Sequence, residues 1–568
     1  GELLAGCVGW HRREDRPDWW AYFHYGEQEP DELIENAGAV VGLGAPHEVG
    51  AVKQSLVWRY PFPAQECQLR PGIRAENVDT HKGVGEIMAI DPVAGWVDLK
   101  MGKRLEPPSP RALKAPGPIG NQGLRASIAR SAQIWLAGGD DLAVRLVRGV
   151  VPAAATMVAR AGETPADVVV RVGSGLRGEV LAVQGPPGAG KTYAGAALIR
   201  RLLDDGLKVG VTGLSHAVIR NLLLKVGRPA LHKTGEGAER PKATDEVASL
   251  VRAAGTNDEV VEALTTGDAN LVGGTAWLWS RDDLTEAVDV LVIDEAGQFS
   301  LANAMAVAQA ATSLVLLGDP QQLQQPTKAV HPFGAGVSVL EHLIGPHDVI
   351  PQGRGVFLDH TYRMHAALTG FVSELAYEGR LASAEPDARQ DLSRVEILAP
   401  SSARSLSGTG LRWAPVAHSV MVEQSSAEEA AVVRLLVDDL LEGEWTDTTG
   451  TTAALTLADI LVVAPWNAHV ATLAAHLPNG AQVGTVDKIQ GQGAAVVIYS
   501  MGTTSAALAP RGVSFLYDVH RLNVAISRAK ALAVIVASPL LLDAAVHHPE
   551  DLRAVNALCR YVENATAV

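Results

Sequence analysis

The stretch that most restricts what this chain can become is VLAVQGPPGAGKTYAGAALI, beginning at Val180. An apolar run leads into Gly185-Pro186-Pro187-Gly188-Ala189-Gly190-Lys191-Thr192, and a run with helical spacing follows. This is the G-x-x-x-x-G-K-[ST] pattern between a strand and a helix, the context in which it has a mechanism. Glycines let the backbone wrap phosphate oxygens with its N–H groups, and the helix N-terminus favours the negative charge. Lys191 suits the β- and γ-phosphates of ATP, and Thr192 suits Mg²⁺. A plain glycine turn needs neither flank. The loop therefore calls for a doubly wound α/β core.

Two more strand ends carry chemistry. VLVIDEAGQFS stops an apolar run at Asp294 and Glu295, and buried carboxylates need a cleft or a partner. Asp294 suits the Mg²⁺ shell, and Glu295 suits orienting and deprotonating the attacking water. VLLGDPQQLQQP ends the next run, where Gln322 can sense a γ-phosphate. A bland turn is the competing reading of that segment. Further on, LDHTYRMHAAL holds Arg363 and HRLNVAISRAKALAVIVAS holds Arg528. Guanidinium groups stabilise charge on a transferring phosphoryl group, although most surface arginines are merely solvated.

Short apolar runs without alternation read as buried parallel strands. One set is 180–183, 208–212, 270–273, 290–293 and 313–317; a second is 356–358, 459–464, 482–486, 495–499 and 531–536. They predict two tandem α/β lobes, 151–350 and 351–568, joined near 345–355. A helical insertion is expected at about 230–268 of the first lobe. The N-terminal part predicts a linker and first stalk helix (1–44), a small β-barrel (45–110) and a second stalk helix (111–150).

The chain has 568 residues, 47% hydrophobic, with net charge −15, which argues against a histone-like basic binder but permits a local groove for nucleic acid. Cys7, Cys67 and Cys559 lie far apart, which predicts no zinc or iron–sulfur site and suits a reducing cytoplasm. No segment reads as a signal peptide or membrane span. The first residue is Gly rather than Met, so the chain is expected to be a processed piece or a fragment.

As a set, QGPPGAGKT, VIDEAGQ, GDPQQL, YRMHAALTGFVSELAYEGRL, VGTVDKIQGQGAAVVIYSM and RLNVAISRAK resemble the superfamily 1 helicases of the 5′-to-3′ subgroup, the group of the nonsense-mediated-decay helicase. The resemblance runs from about residue 180 to residue 540. WHRREDRPDWWAYF resembles the linker of bacterial proteins that fuse a RecB-like nuclease to such a helicase, which would place a nuclease domain upstream. The resemblance implies two RecA-like lobes that hydrolyse ATP with Mg²⁺ and pull on single-stranded nucleic acid, DNA ahead of RNA. It implies that Tyr362 stacks on adenine, and that Gln322, Arg363 and Arg528 read the γ-phosphate. It also implies nucleic-acid contacts at Ser215, His216, Thr275, Trp466, Asn467, Thr485 and Gln490. Hydroxyls and amides there suit the sugar-phosphate chain. Trp466 has two readings, base stacking or core, and His216 has two, phosphate contact or packing.

Two positions depart from the family. Gly493 stands where the family has a Glu that helps hold the ribose, so this position supplies no carboxylate. Gln133 and Gln184 are the only candidates for the upstream adenine-reading glutamine, and neither has the spacing. Separately, Asp91, Asp98 and Lys100 echo a metal-nuclease pattern, but a β-hairpin accounts for them better. The competing function is a P-loop ATPase that clamps or remodels a nucleic-acid or protein partner without unwinding.

Overall fold

The computed structural model describes the chain except residues 35–36, 104, 235–248, 394–405, 490 and 547. It divides into two compact units. The smaller comprises Gly9–Gln122 and Thr327–Pro332, and the larger comprises Gly1–Val8, Gly123–Pro326 and Phe333–Val568.

In the smaller unit, helix Trp10–Glu27 precedes seven strands: β1 (Ala39–Val41), β2 (His47–Val52), β3 (Ser55–Pro61), β4 (Arg74–Asn77), β5 (Gly83–Asp91), β6 (Trp96–Gly102) and β7 (Ala112–Lys114). They form one sheet in the order β1-β7-β4-β5-β6-β3-β2, with every neighbour antiparallel. Val40, Tyr60, Ile87, Val97, Leu99 and Leu113 fill its core. Among the described residues no ladder joins β1 to β2, so the pairing does not close the expected barrel. The reason is visible in β2, which is exposed along nearly its whole length and has no apolar face to close with.

The two helices expected as stalks flank the seven strands in sequence and fall in different units. Trp10–Glu27 belongs with the sheet, where Lys114 Nζ donates to the Tyr22 carbonyl (2.7 Å). Helix Gln122–Leu136 belongs, from Gly123 onward, to the larger unit, where Ser127 Oγ donates to the Ala306 carbonyl (2.7 Å).

The first lobe contains β8 (Val180–Gln184), β9 (Val209–Thr212), β10 (Ala230–Lys233), β11 (Val251–Ala254), β12 (Leu271–Gly273), β13 (Val288–Asp294), β14 (Ala311–Gly318) and β15 (Val356–Phe357). All pair in parallel, in the order β11-β10-β12-β9-β13-β14-β8-β15. β8 and β9 are buried at every residue, as strands covered on both faces must be. Two expectations fail here. The run at 356 belongs to this sheet, alongside β8, so the lobe boundary lies after Phe357 rather than at 350. At its described ends the stretch 230–268 joins the first lobe's sheet rather than standing apart from it: β10 and β11 lengthen the sheet and helix Asn257–Thr266 follows them. Both strands are four residues long and carry polar side chains (His232 and Lys233, Arg252), so neither reads as an apolar run. The middle of that stretch lies outside the described residues.

Past the boundary, β16 (His360–Thr361) pairs with β17 (Ala382–Ser383). A small antiparallel sheet contains β18 (Asp391–Ser393), β20 (Glu444–Thr446) and β21 (Thr452–Ala454). The second lobe's main sheet is built from β19 (Gly410–Pro415), β22 (Ile460–Ala464), β23 (Gln482–Thr485), β24 (Ala494–Ser500), β25 (Ala529–Ala537) and β26 (Thr566–Ala567). Its order is β23-β22-β24-β25-β19-β26, again all parallel. Two parallel α/β sheets in one unit fit a helicase-type P-loop architecture. No helix among the described residues is long and apolar enough to cross a membrane.

Candidate nucleotide site and nucleic-acid face

The chemistry gathers at the carboxyl ends of the first lobe's strands, where open parallel sheets bind their ligands. β8 runs into the loop 185–190, and helix Lys191–Asp204 begins at Lys191. Gly188 and Gly190 hold φ of +74° and +83°, a left-handed backbone that turns N–H groups inward and disfavours side chains. Gly188 is tight for a second reason. A Cβ there would lie 2.6 Å from both Arg363 Cβ and Thr361 Oγ1. The loop is held from that side by Tyr362 N–H, which donates to the Gly188 carbonyl (3.0 Å), and by Thr361 Oγ1, which donates to the Pro187 carbonyl (2.9 Å). The Tyr362 ring itself is 63% exposed, so it is free to stack.

β13 delivers Asp294 into the same region. Burial, reinforced by Glu295, pushes its carboxyl up to about 7, and Lys191 opposes that rise. Both residues stand at the carboxyl ends of strands of the same sheet, Lys191 after β8 and Asp294 at the end of β13. Thr192, Asp294 and Lys191 thus form a donor set that fits Mg²⁺-ATP: one hydroxyl, one carboxylate and one ammonium. Glu295 follows at φ +54°, an uncommon conformation for a residue with a side chain. Such strain recurs where a side chain must be aimed.

β14 ends in Gly318, and the Asp319–Gln322 turn follows. Asp319 is buried, and its Oδ2 accepts from Gln322 Nε2 (2.9 Å) and from Tyr377 Oη (2.7 Å). Gln322 Oε1 accepts from Arg528 Nη2 (3.1 Å), so the turn meets the second lobe directly. Burial lowers Arg528 to about 9, with Arg363 as the next cause and Glu295 acting against it. Arg363 Nη1 donates to the Ser527 carbonyl (3.2 Å). Both arginines therefore stand at the interlobe face. A Cβ on Gly493 would lie 3.5 Å from Arg363 Nε, so the missing family carboxylate is missing beside this arginine.

Sequence reasoning missed Thr361, Asp319, Tyr377 and Asn523. Asp319 and Asn523 stood inside GDPQQL and RLNVAISRAK, but nothing in the spacing told their contacts. Gln184, a candidate adenine reader, is committed elsewhere: its amide donates to the Asp348 carbonyl (2.9 Å) and accepts from Ile350 N–H (2.7 Å). Gln133 is exposed on helix Gln122–Leu136.

The nucleic-acid candidates divide. Ser215, His216 and Thr275 follow β9 and β12 at the carboxyl edge of the first sheet. Ser215 Oγ caps helix His216–Val226 through Val218 N–H (3.3 Å). His216 Nδ1 lies 3.2 Å from His232 Nε2. Burial and then Lys233 lower His216, while burial and His216 lower His232 to about 4. Both causes disfavour the charged form of His216, and its Nδ1 is engaged with His232. In the second lobe Asn467 is exposed after β22, and Thr485 is buried at the end of β23. Trp466 is corrected: it is 5% exposed, its Nε1 donates to Thr503 Oγ1 (2.9 Å), and its ring packs 5.0 Å from Phe515. It cannot stack on a base without unpacking. Trp277, two residues past Thr275, is 45% exposed and offers the aromatic surface instead. Gln490 lies outside the described residues.

The nuclease echo dissolves. Asp98 is bound by Arg59 through two bonds (2.7 and 2.8 Å), Lys100 pairs with Glu86 (2.8 Å), and Asp91 accepts turn N–H groups at Val93 and Ala94. The three residues serve the β5–β6 hairpin.

Two family models match, each described as an AAA domain, over residues 176–338 and 335–539. A curated relative, the DNA polymerase alpha-associated DNA helicase A of Schizosaccharomyces pombe, is 25% identical over 415 residues, 62% of this chain and 60% of the relative. The Regulator of nonsense transcripts 1 homolog of Drosophila melanogaster is 25% identical over 437 residues, 66% of this chain and 34% of the relative. The chain thus spans less than two thirds of the length of either relative. A solved arterivirus nonstructural protein 10 helicase in complex with DNA covers 87% of this chain and 77% of its own, at 13% identity and TM-score 0.38, too loose to superpose one site on the other. Over its two lobes the chain is thus similar to AAA domains and to proteins described as helicases.

Proposed function

We propose that this chain is the motor of a helicase that hydrolyses ATP between its two lobes and moves 5′ to 3′ along single-stranded nucleic acid, DNA ahead of RNA. One observation carries the reading: Gln322, on the turn beside Asp294 and Glu295, is hydrogen-bonded to Arg528 of the other lobe. A site completed by a second lobe changes when the lobes part, and that is what converts hydrolysis into motion. A nucleotide switch needs no second lobe of this kind, while a clamp that only grips is separated from a motor by strand displacement.

Lys191 and the loop amides would hold the phosphates, with Thr192 and Asp294 holding Mg²⁺. The metal, when bound, neutralises charge on the phosphate oxygens. Glu295 would orient water and take its proton, and Arg363 and Arg528 would stabilise charge on the transferring group. Ser215, Thr275 and Asn467 would contact the sugar-phosphate chain, with Trp277 as a stacking surface. The polarity is carried by the resemblance of the motif set, and the DNA preference and a nuclease domain upstream by the resemblance of WHRREDRPDWWAYF to a fusion linker.

The test compares ATP turnover without nucleic acid, with single-stranded DNA and with single-stranded RNA, followed by unwinding of 5′-tailed and 3′-tailed duplexes. Stimulation by DNA and unwinding from 5′ tails is the expected result. Turnover indifferent to both strands would sink the motor reading, and preference for 3′ tails would reverse the polarity.

A further inference from the structure

The Asp319 carboxylate is the hub of a buried network that joins the lobes. Asp319, Gln321 and Gln322 come from the first lobe, while Tyr377 ends helix Ala366–Ala376 and Asn523 lies in helix Val519–Ile526 of the second. Tyr377 Oη donates to Asp319 Oδ2 (2.7 Å) and accepts from Asn523 Nδ2 (3.1 Å). The same Asn523 amide donates to the Gln321 carbonyl (2.7 Å). Asp319 Oδ2 also accepts from Gln322 Nε2, which leaves Gln322 Oε1 to accept from Arg528. Tyr377 and Asn523 are fully buried, and Asp319 and Gln322 nearly so.

We propose that Tyr377 and Asn523 are positioning residues for γ-phosphate sensing, holding Asp319 so that Gln322 keeps its amide turned toward the site and reports hydrolysis to the second lobe. This rests on the ATPase reading above. The reasoning is geometric. A glutamine side chain is indifferent to which end faces which neighbour until its partners fix it. Here the carboxylate takes the Nε2 end, so the Oε1 end faces Arg528. The carboxylate in turn is fixed by Tyr377, and Tyr377 by Asn523. Burial first, and the Asp319 charge second, raise the Tyr377 phenol well above its ordinary value, so it stays a donor throughout the working pH range. Every link crosses from one lobe to the other or anchors one that does. Parting the lobes breaks the three that cross: Tyr377 to Asp319, Asn523 to the Gln321 carbonyl and Arg528 to Gln322.

Neither residue touches nucleotide in this scheme, so the expected signature is a split between binding and turnover. Tyr377→Phe removes one hydroxyl from a buried charge-assisted pair. It should lower turnover at saturating ATP and single-stranded DNA by about tenfold, the kinetic equivalent of one such hydrogen bond. The Michaelis constant for ATP should stay within about twofold, because the loop and Lys191 are intact. Asn523→Ala should act in the same direction. The decisive arm is a double-mutant cycle in the full chain: in a Gln322→Ala background, Tyr377→Phe should cost little more, since both act on one step. Thermal melting of each variant reports folding, and Asn523→Ala carries the test if Tyr377→Phe does not fold. Wild-type turnover, or an equal factor in both backgrounds, would overturn the inference. So would loss of ATP binding with turnover at saturation unchanged. Absence of hydrolysis in the wild type would instead defeat the ATPase reading itself.

Discussion

Gly493→Glu is the substitution for which the family resemblance and the geometry disagree most usefully. The resemblance implies that a carboxylate here holds the ribose, so restoring it should tighten ATP. The structure puts the new Cβ 3.5 Å from Arg363 Nε and 3.4 Å from the Arg528 carbonyl, ordinary contact distances, so the side chain fits. Its carboxylate can then reach the Arg363 guanidinium. Two unit charges about 4 Å apart attract by roughly 4 kcal/mol at an effective dielectric of about 20. Desolvation returns more than half of that, leaving about 1–2 kcal/mol. That is the amount by which the arginine is drawn away from the phosphoryl group, and at tenfold per 1.36 kcal/mol it lowers turnover by about 5- to 30-fold. Gly493→Gln has nearly the same shape without the charge and should stay within about twofold. The assay is steady-state ATP turnover at saturating single-stranded DNA, with the Michaelis constant measured alongside. A lower Michaelis constant with turnover kept or raised would refute the pairing and put the carboxylate on the sugar.

Glu295→Gln should keep nucleotide binding and lose turnover by at least about a hundredfold, the scale of general-base catalysis, measured by analogue binding beside phosphate release; retained turnover removes Glu295 from the base role. Mg²⁺ binding should weaken as pH falls below about 7, because a proton on the raised Asp294 carboxyl competes with the cation and the deprotonated form dominates only above that value. Isothermal titration at pH 6 and pH 8 checks the sign, and equal affinities would contradict it. Trp466→Ala should lower stability by about 3 kcal/mol through lost core packing, seen as a lower melting temperature. A variant with normal melting and weakened single-strand binding would restore Trp466 as a stacking platform.

The parts legible in the sequence were those whose chemistry is local. The Gly185–Thr192 loop needs a strand before it and a helix after it, and each flank has its own periodicity, so its place between Val180–Gln184 and Lys191–Asp204 was legible. Asp294 and Glu295 were legible because an apolar run ending in two acids is costly without a site. What stayed hidden depended on partners distant in sequence. Val356–Phe357 looks like any short apolar run, and only pairing with β8 assigns it to the first sheet. Trp466 and Trp277 are indistinguishable as letters, yet Phe515 and Thr503 bury one while the other stays exposed. Tyr377 lies 58 residues from the carboxylate it holds, and no local pattern encodes that bond.

The two arginines give the site its direction of response. Burial is the first cause lowering both, and for Arg528 the charge of Arg363 is the second. Among the described residues neither forms an ion pair, and Gly493 withholds the one carboxylate the family resemblance would supply. Glu295 and Asp319 offset part of that repulsion at Arg528, yet two buried like charges side by side are still unfavourable. An anion arriving between the lobes relieves them, so a triphosphate stabilises the closed arrangement by more than its contacts with the P-loop alone would give. When the γ-phosphate leaves, that relief goes with it, and the Asp319–Gln322 turn loses its reason to hold Arg528. On the proposed motor reading, binding energy would thereby fall on the interlobe contact as well as on the P-loop, which is where a motor needs it. Replacing Arg528 by Lys tests this step: the charge stays, but the planar fork that spans Gln322 and the Val524 carbonyl is lost. Turnover should fall by at least about tenfold while single-strand binding without nucleotide is kept, since every 1.36 kcal/mol of lost transition-state contact is a factor of ten. Turnover equal to wild type would mean that charge alone suffices and that the Gln322 contact is incidental.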